Sequence, residues 1–201
     1  YMVSGFKTML PAILVLVLAW SLAGVTEALH TSDYLSNLFS DKINPYLLPA
    51  LIFVLAAFIA FATGSSWSTM AILYPIAIPT AYAVCNSAGM EPGISHEILL
   101  CIIATVLAAS VLGDHCSPIS DTTILSSLAT DCNHLDHVKT QLPYALTVGV
   151  VSIIGITLSL LLGGGWLISA FCMALCLGAL YAWIKYYGKP IPELGHQLNH
   201  R

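Results

Sequence analysis

Apolar runs fill most of the chain, and polar residues gather at a few points between them. Met9 to Ala28 is the first run. Pro45 to Val84 is long enough for two helices and is interrupted at TGSSW, residues 63–67. Glu97 to Thr130 is a third stretch, interrupted at GDHCSPISDT, residues 113–122. Leu142 to Leu162 follows, ended by Gly163, Gly164 and Gly165, and Trp166 to Tyr187 closes the series. A bilayer span needs ~20 apolar residues, so this pattern predicts six crossings or half-crossings. HTSDYLSNLFS, His30 to Ser40, is short and amphipathic and is expected at the membrane interface. Trp166, Trp183, Tyr186 and Tyr187 flank the last run, as interface aromatics do. The expected organisation is a transmembrane domain over residues 1–187 and a polar tail over 188–201.

Composition agrees. The chain is 58% hydrophobic and 8% charged, where soluble domains average about 25% charged residues. No Lys or Arg occurs from Ile43 to Val138, and no charge of either sign from Thr140 to Ile184. A net charge of −4 without a basic stripe argues against a nucleic-acid partner. No Walker A stretch supports ATP-driven transport, and no G-x-S-x-G elbow supports a hydrolase. The first apolar run is too long for a signal-peptide h-region. Six cysteines form no CxxC pair and read as small apolar helix residues. With Lys7 in the cytoplasm, Lys139, Lys185, Lys189 and Arg201 also fall inside, and Lys42 is the exception.

The two interruptions carry the chemistry. Leu47 to Ala62 and Ile98 to Gly113 are each 16 residues, ~24 Å of helix at ~1.5 Å per residue. Both start from the same face, so both breaks are expected at a similar depth and in mutual contact. Broken helices near the bilayer midplane mark transporter binding sites. Gly64 and Pro118 supply the breaks. Thr63, Ser65, Ser66, Ser68 and Thr69 supply hydroxyls at the first, and Ser117, Ser120, Thr122 and Thr123 at the second. Hydroxyls and freed carbonyls are hard oxygen ligands suited to an alkali cation.

Asp114 and Asp121 sharpen this reading. A charge at the bilayer centre costs ~2.5–3.5 kcal/mol on insertion scales, and no basic residue shares the stretch. Each acid is therefore protonated or faces a cation, and competition between the two is the physical basis of cation/proton exchange. The plainer alternative is Asp121 as an N-cap for TTILSSLA. It needs one acid and no row of hydroxyls, so the cation reading is preferred. His115 has two open readings, a proton relay or a scaffold bonded to its acidic neighbours. Asp131, His134 and His137 have helical spacing for a metal, but a polar linker at the inner face explains them with less. No metal beyond Na+ is expected.

The stretches GFKTMLPAILVLVLAWSL, FATGSSWSTMAILYPIAIP and GDHCSPISDTTILSS resemble the NhaC-type Na+/H+ antiporters of the ion transporter superfamily. The likeness covers most of Gly5 to Leu162; members often have Gly where this chain has Ser68. It implies two inverted halves, each with a re-entrant helical hairpin and an interrupted transmembrane helix. This chain resembles the C-terminal half, with Pro45 to Val84 as the hairpin and Glu97 to Thr130 as the interrupted helix. The missing N-terminal repeat would then be its partner.

The expectation is an all-α polytopic membrane protein, half of an inverted-repeat transporter. It would exchange Na+ for H+ across the bacterial cytoplasmic (inner) membrane. The cation and proton would be held by Asp114, Asp121, Ser117, Ser120, Thr122, Thr63, Gly64, Ser65, Ser66 and Thr69. No cofactor is expected; Na+ and H+ are cargo. Expected partners are the lipid bilayer and, as a candidate, a second copy of the chain in a homodimer. The alternative is a Na+- or H+-coupled carrier of organic anions, of malate or lactate type, or of amino acids. A bound anion would want a basic group or an exposed half-helix N-terminus; the basic group is absent near the breaks. A channel or non-transporting membrane subunit is a third class.

Overall fold

The computed structural model describes residues 44–188 continuously, and scattered positions between 14 and 34. The expected first span, the amphipathic segment His30 to Ser40 and the polar tail lie largely outside the described residues. Every regular element described is helical. A 3-10 turn at Pro45–Leu47 leads into α1 (Leu48–Thr63), and α2 (Ser66–Ser87) follows after two residues. Next come α3 (Pro92–Cys116), the short α4 (Asp121–Ala129), α5 (His134–Leu161) and α6 (Trp166–Tyr187). Among the described residues, five helices are long and apolar enough to cross a membrane, all but α4.

Helix α3 is the hub, packed against α1, α2 and α5. Its buried face is Ile98, Ile102, Thr105, Val106, Ala109, Ser110, Gly113 and Cys116, the three- and four-residue spacing of one helix side. On α1 the matching stripe is Leu48, Ile52, Ala56 and Ala60. Small residues let the two backbones approach, as at membrane helix interfaces. A Cβ on Gly113 would fall onto the Ala57 carbonyl oxygen and 2.7 Å from Ala60 Cβ. Only a glycine fits there.

The outside is apolar and part of the inside is polar. Phe58 is 70% and Leu128 71% exposed, while Thr69, Ser117 and Ser120 are fully buried. Water would reverse that arrangement, whereas lipid favours it. All six cysteines are free.

Two boundaries differ from the sequence pattern. α3 starts at Pro92, ahead of Glu97, because Pro92 suits a first helical position. α5 starts at His134, eight residues before Leu142. Asn133 caps it, its side chain accepting from the N–H groups of Leu135 (3.0 Å) and Asp136 (3.4 Å). The stretch expected as a polar linker is thus the first turns of a 28-residue helix.

Candidate functional site

Gly64 ends α1 with a left-handed backbone, φ 65°, and its N–H bonds Ala60 O at 2.8 Å. Left-handed geometry favours glycine. Ser65 then caps α2, its Oγ accepting from Ser68 N–H at 3.3 Å and from Ser68 Oγ at 3.1 Å. Thr69 Oγ1 donates to Ser65 O at 3.0 Å and lies 3.4 Å from Thr63 Oγ1. Thr63 also donates to Ile59 O at 2.9 Å. Thr63, Ser65 and Thr69 hydroxyls are therefore tied to the backbone of their own break. Ser66, half-buried, opens α2.

At the second break, α3 ends at Cys116 and α4 begins at Asp121. Ser117 and Ser120 are fully buried. Ser120 Oγ donates to Asp114 Oδ1 at 2.6 Å and lies 2.8 Å from Thr122 Oγ1. Asp114, Ser120 and Thr122 thus form one continuous oxygen cluster. Ser117 Oγ accepts from Ile119 N–H at 3.3 Å. Asp121 occupies the first turn of α4, where its charge complements the helix dipole. The N-cap position belongs to Ser120, whose side chain makes no capping bond. The His115 ring is exposed and makes no hydrogen bond with the described residues, so the scaffold arrangement is not seen.

The two breaks touch. A Cβ on Gly64 would lie 2.8 Å from Ile119 Cγ1 and 3.0 Å from its carbonyl carbon. Gly64 and Ile119 therefore close the gap between TGSSW and GDHCSPISDT. No hydrogen bond among the described residues links the hydroxyls of one break to those of the other.

Sequence reasoning missed several groups, and it named His134 only as a metal ligand or linker residue. Ser110 lies one turn before Asp114, fully buried, and its Oγ has no partner among the described residues. The Thr80 hydroxyl is likewise buried and unpaired among the described residues. His134 Nε2 lies 2.6 Å from Pro118 O, and Gln141 Nε2 donates to His115 O. Glu97 Oε2 accepts from Gly165 N–H at 3.0 Å. Spacing alone could not show these contacts, which join separate helices. Among the described residues, no three His, Cys, Asp or Glu side chains converge as a metal would need. A cleft of about 390 Å³ between α1, α3 and α5 is lined by apolar groups such as Phe53, Phe58, Leu146 and Ile153 and offers an ion nothing.

The model of the Na+/H+ antiporter family matches residues 1–159. The chain belongs to that family. It is a multi-pass membrane protein. An uncharacterised protein of Haemophilus influenzae is 46% identical over 151 residues, 75% of this chain and 27% of that protein. The arginine/ornithine antiporter ArcD of Halobacterium salinarum is 36% identical over 112 residues, 54% of this chain and 21% of that one. The malate-2H(+)/Na(+)-lactate antiporter of Bacillus subtilis is 27% identical over 163 residues, 81% of this chain and 32% of that one. The chain therefore spans between about a fifth and a third of the length of these curated relatives. No solved structure matches.

Proposed function

We propose that this chain is one half of a secondary active transporter that exchanges Na+ for H+ across the bacterial cytoplasmic membrane. The carrying observation is the contact of Gly64 with Ile119, which sets two helix breaks side by side next to the Asp114–Ser120–Thr122 cluster. In this reading α1 and α2 form the re-entrant hairpin, α3 and α4 the interrupted helix, and the inverted first half completes the ion's shell.

Na+ would displace a proton held at the Asp114–Ser120–Thr122 cluster, with Asp121, exposed at the start of α4, as a second competing carboxylate. Ser117, Ser120 and Thr122 are the oxygen donors nearest to them in the chain; Thr63, Ser65, Ser66 and Thr69 are donors from the facing break. His115, exposed beside the cluster, would pass the proton on.

A second reading is a Na+- or H+-coupled carrier of an organic anion or amino acid. The names of the Halobacterium and Bacillus relatives favour it. The absence of Lys and Arg between Ile43 and Val138 favours the ion exchanger.

The test is Asp121→Asn in the full-length protein, assayed in everted vesicles. Asn keeps the shape and the helix-start position but cannot release a proton. Loss of Na+-dependent proton movement with normal insertion is expected. Wild-type exchange would leave Asp121 as a first-turn helix residue only. Proton movement driven by malate or arginine, and not by Na+, would select the second reading.

A further inference from the structure

An interrupted helix must satisfy the carbonyls that its break sets free, because hydrocarbon supplies no donors. At the second break, Asp114 O is used locally, accepting from Ser117 N–H at 3.0 Å. Ser117 O is also served locally, by Ser120 N–H at 3.4 Å. The donors for His115 O and Pro118 O come from later in the chain. His115 O takes Thr123 Oγ1 at 3.3 Å from α4 and Gln141 Nε2 from α5. Pro118 O takes His134 Nε2 at 2.6 Å, again from α5. His134 and Gln141 are seven residues apart, two turns of one helix face. A single face of α5 thus grips the break on both sides of Ser117.

We propose that His134 and Gln141 are positioning residues that fix the Asp114–Ser120 pair by holding the Pro118 and His115 carbonyls. The relevance to Na+ rests on the function proposed above. The grip itself rests on the geometry alone. Pro118 O can only accept, so Nε2 carries the hydrogen. The other ring nitrogen lies 3.1 Å from Ser127 Oγ. With the hydrogen on Nε2 this nitrogen is an acceptor, and the Ser127 hydroxyl serves either it or Ile124 O at 2.8 Å. The Pro118 bond does not depend on which. His115 O already accepts from two donors, so the ion's oxygens would come first from Asp114, Ser120 and Thr122.

The experiment uses the full-length protein in detergent, with His134→Ala, Gln141→Leu and His134→Gln. Two readouts run side by side: amide hydrogen exchange over residues 114–124, and the dependence of transport on Na+. His134→Ala and Gln141→Leu are expected to speed exchange at Ser117, Ser120 and Ile124 by about fivefold, the usual value of one lost hydrogen bond. Exchange in α1 and α2 should not change. His134→Gln, which keeps an N–H donor, should restore most of the protection. The apparent KM for Na+ should rise about fivefold in the first two variants, with Vmax per folded transporter within about twofold. Unchanged protection at the break in both variants overturns the proposal. So does a uniform loss of protection across all helices, which would mean general destabilisation. If the wild type shows no Na+-dependent exchange, the ion reading fails, and the hydrogen-exchange arm still decides the grip.

Discussion

Gly113→Ala isolates the closest helix approach beside the site. Ala in a helix interior gains about 1 kcal/mol over Gly by propensity. Here the new methyl would overlap the Ala57 carbonyl oxygen and sit 2.9 Å from its carbonyl carbon. Neither atom is the end of a flexible side chain, so α1 and α3 must separate. Overpacking costs about 1–3 kcal/mol, and a backbone clash belongs at the upper end. The net is a destabilisation of about 2 kcal/mol, near 30-fold in the folding equilibrium. Two controls grade the effect. Gly149→Ala meets only Leu112 Cδ2, at 2.8 Å, a side-chain end that can turn away. Gly93→Ala, on α3 itself, meets nothing within 4 Å. Thermal unfolding of the full-length protein in detergent, followed by size exclusion, should rank stability as Gly93→Ala, then Gly149→Ala, then Gly113→Ala. A Gly113→Ala protein melting at or above the wild type would refute the close-packing argument.

Gly64→Ala should destabilise by roughly 1–2 kcal/mol from the left-handed backbone alone, and Ile119→Ala in that background should recover part of the loss by removing Cγ1; the same melting assay reads both. Glu97→Ala should cost about 1–2 kcal/mol by stripping the acceptor from Gly165 N–H, while Glu97→Gln, which keeps an acceptor oxygen, should cost less; amide exchange at the start of α6 checks this. Under the exchange mechanism, apparent Na+ affinity should weaken as pH falls, by at most about tenfold per pH unit for one competing proton, and flatten once the site is deprotonated. Calorimetric Na+ titration of the full-length protein that shows no pH dependence would rule out a shared site.

The breaks were legible because they violate their surroundings. Glycine, proline, acids and hydroxyls inside apolar runs have no reason to be there unless the backbone departs from helix. That logic located Gly64 and the Asp114–Thr122 stretch. Their contact was expected from two equal runs, yet α3 has 25 residues and α1 has 16, so the contact does not rest on equal length. It failed at the ends of elements, where polar residues are normal. The start of α5 looked like a linker because Asp131 to His137 is mostly polar, although Asn133 followed by Asp136 is a recognisable helix start. Reading that signal would have put His134 and Gln141 on one helix face. The role of Glu97 could not be read at all, because its partner is the main chain of a glycine 68 positions away. Backbone donors leave no trace in composition.

The Glu97–Gly165 bond also bears on the order of synthesis. The carboxylate emerges 68 residues ahead of its donor. At about 5–20 residues per second, it waits roughly 3–14 s for the triglycine loop to be made. During that interval the acid lacks this donor, which favours keeping the start of α3 at the aqueous edge while α5 is still being threaded. Three consecutive left-handed glycines, φ 105°, 71° and 86°, then let the loop fold back onto it. Helix α6, which buries only Cys172 against the rest of the described chain, is therefore fastened at Gly165, the residue just ahead of its first turn.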